Sequence, residues 1–223
     1  MRKLFLVALL LASISTYSHG EKWDENRDGW SPLMLAIYKG KTESFMKLIT
    51  QKVDVNYLSK SKYSDARITA LEVAIRMNNE VAVNSLLLTN RISNPEKYLM
   101  TAAGQNSMKV IELLIKYGGN PNETLENGYS ILMMATGFSS KDVFECLLKK
   151  GANPNQAKTN GMTVLMLAGY GAKIEKIKLL IKYNADKDVK DSKGWTALDY
   201  FNKYCDIRKV SEEDKTEIRE LLK

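Results

Sequence analysis

Histidine is almost absent from this chain of 223 residues, and its single copy, His19, stands within the first twenty. Beyond that point there is none, which removes Ser-His-Asp and Cys-His nucleophilic arrangements, imidazole acid-base work and the ordinary His-rich zinc sites. Cysteine is nearly as scarce, with only Cys146 and Cys205 available for a disulfide or a soft metal. Long apolar runs are lacking too. The most apolar one, Leu4 to Ala12, is well short of the roughly 20 residues that a membrane-spanning helix needs.

That run lies between the cations Arg2 and Lys3 and a stretch of small polar residues, the layout of a secretory signal peptide over residues 1–20. Cleavage is expected after Gly20, with Ser15 as the second choice, and no Cys follows the run to carry a lipid anchor. Export to a bacterial periplasm as a soluble chain is expected, without membrane insertion. Residues 1–20 hold two cations and no acid, so the charge of +7 (33 Lys+Arg against 26 Asp+Glu) falls to about +5 over residues 21–223. Lysines are spread along the chain, as at Lys149, Lys150, Lys173, Lys176 and Lys178. This reads as solvated helix faces rather than a nucleic-acid stripe, and it is compatible with an acidic protein partner.

A small residue recurs at Ala36, Ala74, Ala102, Ala135 and Ala168, and twelve positions after each comes Leu48, Leu86, Leu114, Leu147 or Leu180. The intervals are 38, 28, 33 and 33, so five residues are added before the second unit and five are missing before the third while the phase is kept. Units of about 33 residues, each too small to bury its own apolar face, are the mark of a stacked solenoid. Within one unit, Leu165, Leu167 and Ala168, then Ile174, Ile177, Leu180 and Ile181, fall at helical spacing in two segments broken at Gly171 and Ala172. The pattern predicts a helix, a tight turn and a second helix. The second helix stops at GGNPN from Gly118 or GANPN from Gly151, where Gly suits a left-handed cap and Pro forbids continuation.

The openings GWSPLMLA from Gly29, GYSILMMA from Gly128, GMTVLMLA from Gly161 and GWTALDYF from Gly194, with the GANPN-like closings, resemble the ankyrin repeat family. The resemblance covers about residues 28–223 and implies an all-α solenoid of six helix-turn-helix units with hairpin-like loops. Their approximate bounds are 28–57, 66–94, 95–122, 126–155, 159–188 and a C-terminal cap at 192–223. It implies no cofactor. It also puts Cys146 and Cys205 on the order of 20 Å apart, against a disulfide limit near 7 Å, so two free thiols are expected, Cys146 as a small buried hydrophobe. The family's usual His after the first Leu is replaced by Met34, Glu72, Met133, Met166 and Asp199, so the polar tie at the helix start is expected to be missing. The third unit lacks the opening, having NPEKYLMTAAG from Asn94, and Ser211 with Asp214 predicts a capped final helix.

Candidate chemistry is thin. Glu72 and Asp199 belong to units four apart, too distant to act as an acid-base pair, and each reads as a helix-start polar group. GYGA from Gly169 falls between two predicted helices rather than after a strand, so it is no phosphate loop. The ten Met residues recur at core phases and read as adaptable packing rather than a metal site. Asn122-Glu123-Thr124 is a glycosylation acceptor in a host that glycosylates exported chains.

In the family that the chain resembles, partners bind a concave face built from hairpin tips and the exposed side of each first helix. Phase places three such positions in each of six units. The foremost are Trp30, Tyr38, Lys39, Arg76, Met77, Tyr129, Phe138, Met162, Tyr170, Trp195, Lys203 and Tyr204. Seven of the eighteen positions are aromatic against 17 aromatics in residues 21–223, an enrichment of about fivefold that suits anchors on a binding face. Stacking of Trp30 and Trp195 on neighbouring hairpins is the competing explanation. The loop from Tyr57 to Arg67, polar and basic, is a second candidate.

The expectation is a non-enzymatic exported protein, monomeric alone, that grips another protein. Its most concrete form is an immunity or accessory protein masking a co-produced toxic secreted hydrolase such as a phospholipase. A periplasmic helper of an oxidative-stress enzyme and a secreted effector that binds a host protein are the alternatives.

Overall fold

The computed structural model describes residues 29–59, 68–92, 95 and 97–223. The expected signal peptide, His19 and most of the loop before the second unit lie outside the described residues. Among those described, twelve helices run in pairs: α1 (Pro32–Tyr38) with α2 (Thr42–Thr50), α3 (Ala70–Arg76) with α4 (Glu80–Leu88), α5 (Lys97–Gly104) with α6 (Met108–Lys116), α7 (Ile131–Phe138) with α8 (Lys141–Lys149), α9 (Val164–Tyr170) with α10 (Ile174–Lys182), and α11 (Ala197–Tyr204) with α12 (Glu212–Leu222). The only β pairing among the described residues is two isolated bridges, Thr124 with Ser130 and Ala157 with Thr163, at the loop stems. The all-α expectation holds.

Five of the six first helices start on a Ser or Thr whose hydroxyl accepts the N–H three residues on: Ser31 from Met34, Thr69 from Glu72, Ser130 from Met133, Thr163 from Met166 and Thr196 from Asp199, at 3.2–3.3 Å. The expected loss of the polar tie needs correcting at two of these starts. The Met166 sulfur accepts the Thr163 N–H at 3.4 Å, and the Asp199 carboxylate accepts both the N–H and the hydroxyl of Thr196 at 2.8 Å. Any acceptor of that reach at the third helical position closes a reciprocal cap, so imidazole is not required. Ser211 caps α12 in the expected way, accepting the Asp214 N–H at 3.1 Å.

The chain divides into two compact units between Ala74 and Ile75, within α3. In the first, α1 packs on α2 around buried Leu33, Phe45 and Leu48. In the second, first helices stack on first helices (α5, α7, α9, α11) and second helices on second helices (α4, α6, α8, α10, α12). The recurring small residues lie in the core: Ala36, Ala74, Ala102, Ala135 and Ala168 are at most 2% exposed, and their Leu partners at most 6%. Close approach explains the small size. At Gly169 a Cβ would meet the Ala197 carbonyl oxygen at 2.7 Å, so α9 and α11 touch through backbone.

The loops after the second helices form a ladder. The Asn122 amide donates to the Gly151 carbonyl at 2.9 Å while its Oδ1 accepts the Asn153 N–H at 2.7 Å. One repeat later, Asn155 does the same to Asn184 (3.3 Å) and Asp186 (2.7 Å). The amide nitrogen a glycan would occupy is therefore already engaged at Asn122. Asn122→Ala is expected to cost about 1–2 kcal/mol, measured as a lower Tm, because both bonds join adjacent repeats.

Both thiols are free and buried. On the second-helix side, exposed ion pairs step from repeat to repeat: Lys109 with Glu80, Lys150 with Glu112, Lys141 with Glu175, Lys182 with Glu145 and Lys178 with Glu217, at 2.6–3.6 Å. Each is worth little singly.

Lys176 departs from the solvated face expected of it. It is only 8% exposed, and its ammonium donates to the carbonyls of Ala135 (2.7 Å), Thr136 (2.9 Å) and Ser139 (2.7 Å) at the end of α7. The cause lies in the turn. Four residues after each recurring Ala, the chain is left-handed at Gly40, Asn78, Asn106 and Ala172, with φ from 48° to 65°, but Ser139 is extended at φ −94°. Where the turn is left-handed, the next N–H folds back on the Ala carbonyl, as from Lys41, Ser107 and Lys173 at 2.9–3.0 Å. In the α7 turn the corresponding N–H, from Ser140, goes to Asn106 Oδ1 at 2.6 Å instead. Lys176, reaching from α10, caps the carbonyls of this turn. Burial, with Lys173 adding to it, lowers its pKa to about 8, so the group stays charged at neutral pH.

Candidate protein-binding face

The twelve foremost positions divide by exposure. Phe138 is 69% exposed, Tyr38 55%, Met77 47% and Tyr170 39%, and Lys39, Arg76 and Lys203 are exposed as well. Trp30, Tyr129, Met162, Trp195 and Tyr204 are half-buried. Phe138 is the last residue of α7, one residue before the turn that Lys176 holds.

The half-buried rings are used inside the fold. Trp30 meets Tyr38 edge-on with ring centres 5.4 Å apart, and Lys158 lies 5.8 Å over the Tyr129 ring. At the C-terminal end the rings form a chain: Trp195 to Tyr200 at 5.1 Å, Tyr200 to Tyr170 at 6.4 Å and Tyr170 to Tyr204 at 4.5 Å. Cations cover three of its four rings. Lys203 lies 4.5 Å over Trp195 and 5.6 Å over Tyr204, and Arg208 lies 5.8 Å over Tyr170. Trp30 and Trp195 thus pack on rings of their own unit, Tyr38 of α1 and Tyr200 of α11, rather than on neighbouring hairpins.

Asp191 fixes this end. Its Oδ1 accepts the N–H groups of Lys193 (2.9 Å) and Trp195 (3.0 Å), closing the hairpin, and its Oδ2 accepts the Tyr200 hydroxyl at 2.7 Å. Burial alone would raise the carboxyl's pKa. The Tyr200 hydroxyl and the two N–H groups outweigh it, with help from the Lys193 charge, and hold it below the usual range. Burial and Asp191 push Tyr200 up to about 12, so it remains a donor. Asp191→Ala is expected to cost about 2 kcal/mol, since it leaves a buried hydroxyl unpaired. The carboxyl's contribution is present above the unfolded value near 3.9 and is lost as pH falls through the lower folded value. The Tm gap between wild type and Asp191→Ala should accordingly be constant at neutral pH and close in acid.

Sequence reasoning missed Lys176, Asp191, Tyr200 and Arg208. For Lys176 a signal existed: Val143 and Val110 stand 33 and 66 residues before it, so a lysine occupies a core phase. Arg208 lies beyond the repeat register and gave none.

Family models describing ankyrin repeats match residues 3–97 and 81–158 in a three-copy form, and residues 147–201 in a many-copy form. The chain belongs to the ankyrin repeat family. A crystal structure of an ankyrin repeat domain from Acinetobacter baumannii AYE is similar, with a TM-score of 0.68 and 22% identity over 86% of this chain and 95% of that one, which shows the shared fold. No curated protein matches the sequence. Ankyrin repeats are in general non-enzymatic protein-protein interaction modules. Among the described residues, no helix is long and apolar enough to cross a membrane and no three His, Cys, Asp or Glu side chains group as metal ligands.

Proposed function

We propose that this ankyrin repeat protein works in the bacterial periplasm by binding another exported protein through its first-helix ends and hairpin tips, without catalysis of its own. The observation that carries the reading is the exposure of Phe138 and Met77, large apolar side chains at positions where the fold does not require them. Export rests on the signal-peptide layout of residues 1–20. The most concrete form is an immunity or accessory protein that masks a toxic secreted hydrolase, such as a phospholipase, made by the same cell.

Chain immobilised on beads and exposed to periplasmic extract is expected to retain one exported enzyme and to inhibit it at equal stoichiometry. Cells that lose this protein while keeping that enzyme should die. Healthy deletion cells refute masking. Stress sensitivity without a toxin identifies a helper instead, and recovery of the chain outside the bacterium identifies an effector.

A further inference from the structure

We propose that the shelf formed by Tyr170, Trp195, Lys203, Tyr204 and Arg208 receives an acidic segment of the partner protein, a step that rests on the protein-binding reading above. The cations of this molecule are used in two different ways. On the second-helix side, lysines pair with glutamates of the adjoining repeat. On the shelf, Lys203 and Arg208 lie over aromatic rings and pair with no carboxylate among the described residues.

Three carboxylates of this end of the chain are committed elsewhere. Asp191 is taken by Tyr200 and the hairpin N–H groups, Asp199 by Thr196, and Asp206 by Lys215 at 2.6 Å. Asp199 stands one helical turn before Lys203, where a pair would form readily, yet it closes the cap of α11. Two cations held in place on rings, with no paired carboxylate among the described residues, are ready for carboxylates from outside.

Ring geometry favours a protein over a nucleic acid. Bases need open aromatic faces to stack on. Here Tyr170 meets Tyr204 and Tyr200 at interplanar angles of 64° and 77°, Trp195 is tilted at 59° to Tyr200, and the cations lie over Trp195 and Tyr170. The cations over these rings attract carboxylates.

The test uses the full chain labelled with 5-fluorotryptophan, whose three signals come from Trp23, Trp30 and Trp195, the last assigned with Trp195→Phe. The probes are the peptide Glu-Glu-Leu-Leu-Glu-Glu, the same peptide with Lys for Glu, and a thymidine oligonucleotide. The acidic peptide should move the Trp195 signal saturably and the lysine peptide should not. The exposed double variant Lys203→Glu, Arg208→Glu, with unchanged helix content, should weaken the acidic peptide by about tenfold or more. No shift, an equal shift from the oligonucleotide, or indifference to the double variant overturns the proposal. Once a partner is in hand, loss of its binding with Phe138→Asp but not with the double variant overturns the acidic shelf and leaves protein binding standing. Loss with neither variant overturns both.

Discussion

Lys176→Met is expected to lower stability by about 3 kcal/mol, read as a fall in Tm, which makes it the most damaging single change foreseen for this chain. Methionine keeps the length and apolar stem of lysine and can still pack near Phe144, over whose ring the ammonium lies at 5.5 Å. What it removes is the donor shared by three buried carbonyls, one of which, Ala135, keeps a second bond from the Ser139 N–H at 3.1 Å. An unpaired buried carbonyl costs about 1–3 kcal/mol, and the released cost of burying an ammonium offsets part of the sum. Helix α7 also loses a cation at its negative end. The explanation has its own check. Asn takes the left-handed turn at the same phase in Asn78 and Asn106, so Ser139→Asn in the Lys176→Met background should recover part of the Tm. No recovery, or a fall below about 1 kcal/mol for Lys176→Met alone, would refute the capping role.

Phe138→Asp is expected to weaken partner binding by about 30-fold or more while leaving Tm nearly unchanged. The side chain is 69% exposed, so the folded state loses little packing, whereas a truncated and charged anchor at the centre of an interface costs about 2 kcal/mol or more. Calorimetric titration against the captured partner measures it, and an affinity within threefold of wild type would remove Phe138 from the interface. The two predictions are linked through Ser139. A variant of Lys176 should lose affinity as well as stability, since the turn that presents Phe138 loses its brace.

Most of the fold was legible because it is periodic. The Ala and Leu ruler marks side chains that are all buried, and Gly118 and Gly151, read as left-handed caps, have φ of 98° and 89°. The absence of His misled at one point: the tie it usually makes is carried at Asp199 by a carboxylate and at Met166 by sulfur, since the geometry asks only for an acceptor. The candidate face was legible by position and illegible by use. Phase located Trp195, Tyr170 and Tyr204 without distinguishing an exposed anchor from a ring packed on its neighbour, because that depends on rotamers and on which cations reach across.

The sequence by itself determined the architecture: a 33-residue apolar period admits stacked helix pairs, as no unit can bury its face alone. Tertiary structure alone decided where the charges go. Lys176 and Lys203 look alike in the chain, yet one is sealed under three carbonyls at the Ser139 turn and the other rests on Trp195 with no carboxylate paired to it among the described residues. An ammonium takes whatever acceptor or ring lies within a few ångströms, and residues 37 positions apart come that close only after the repeats have stacked.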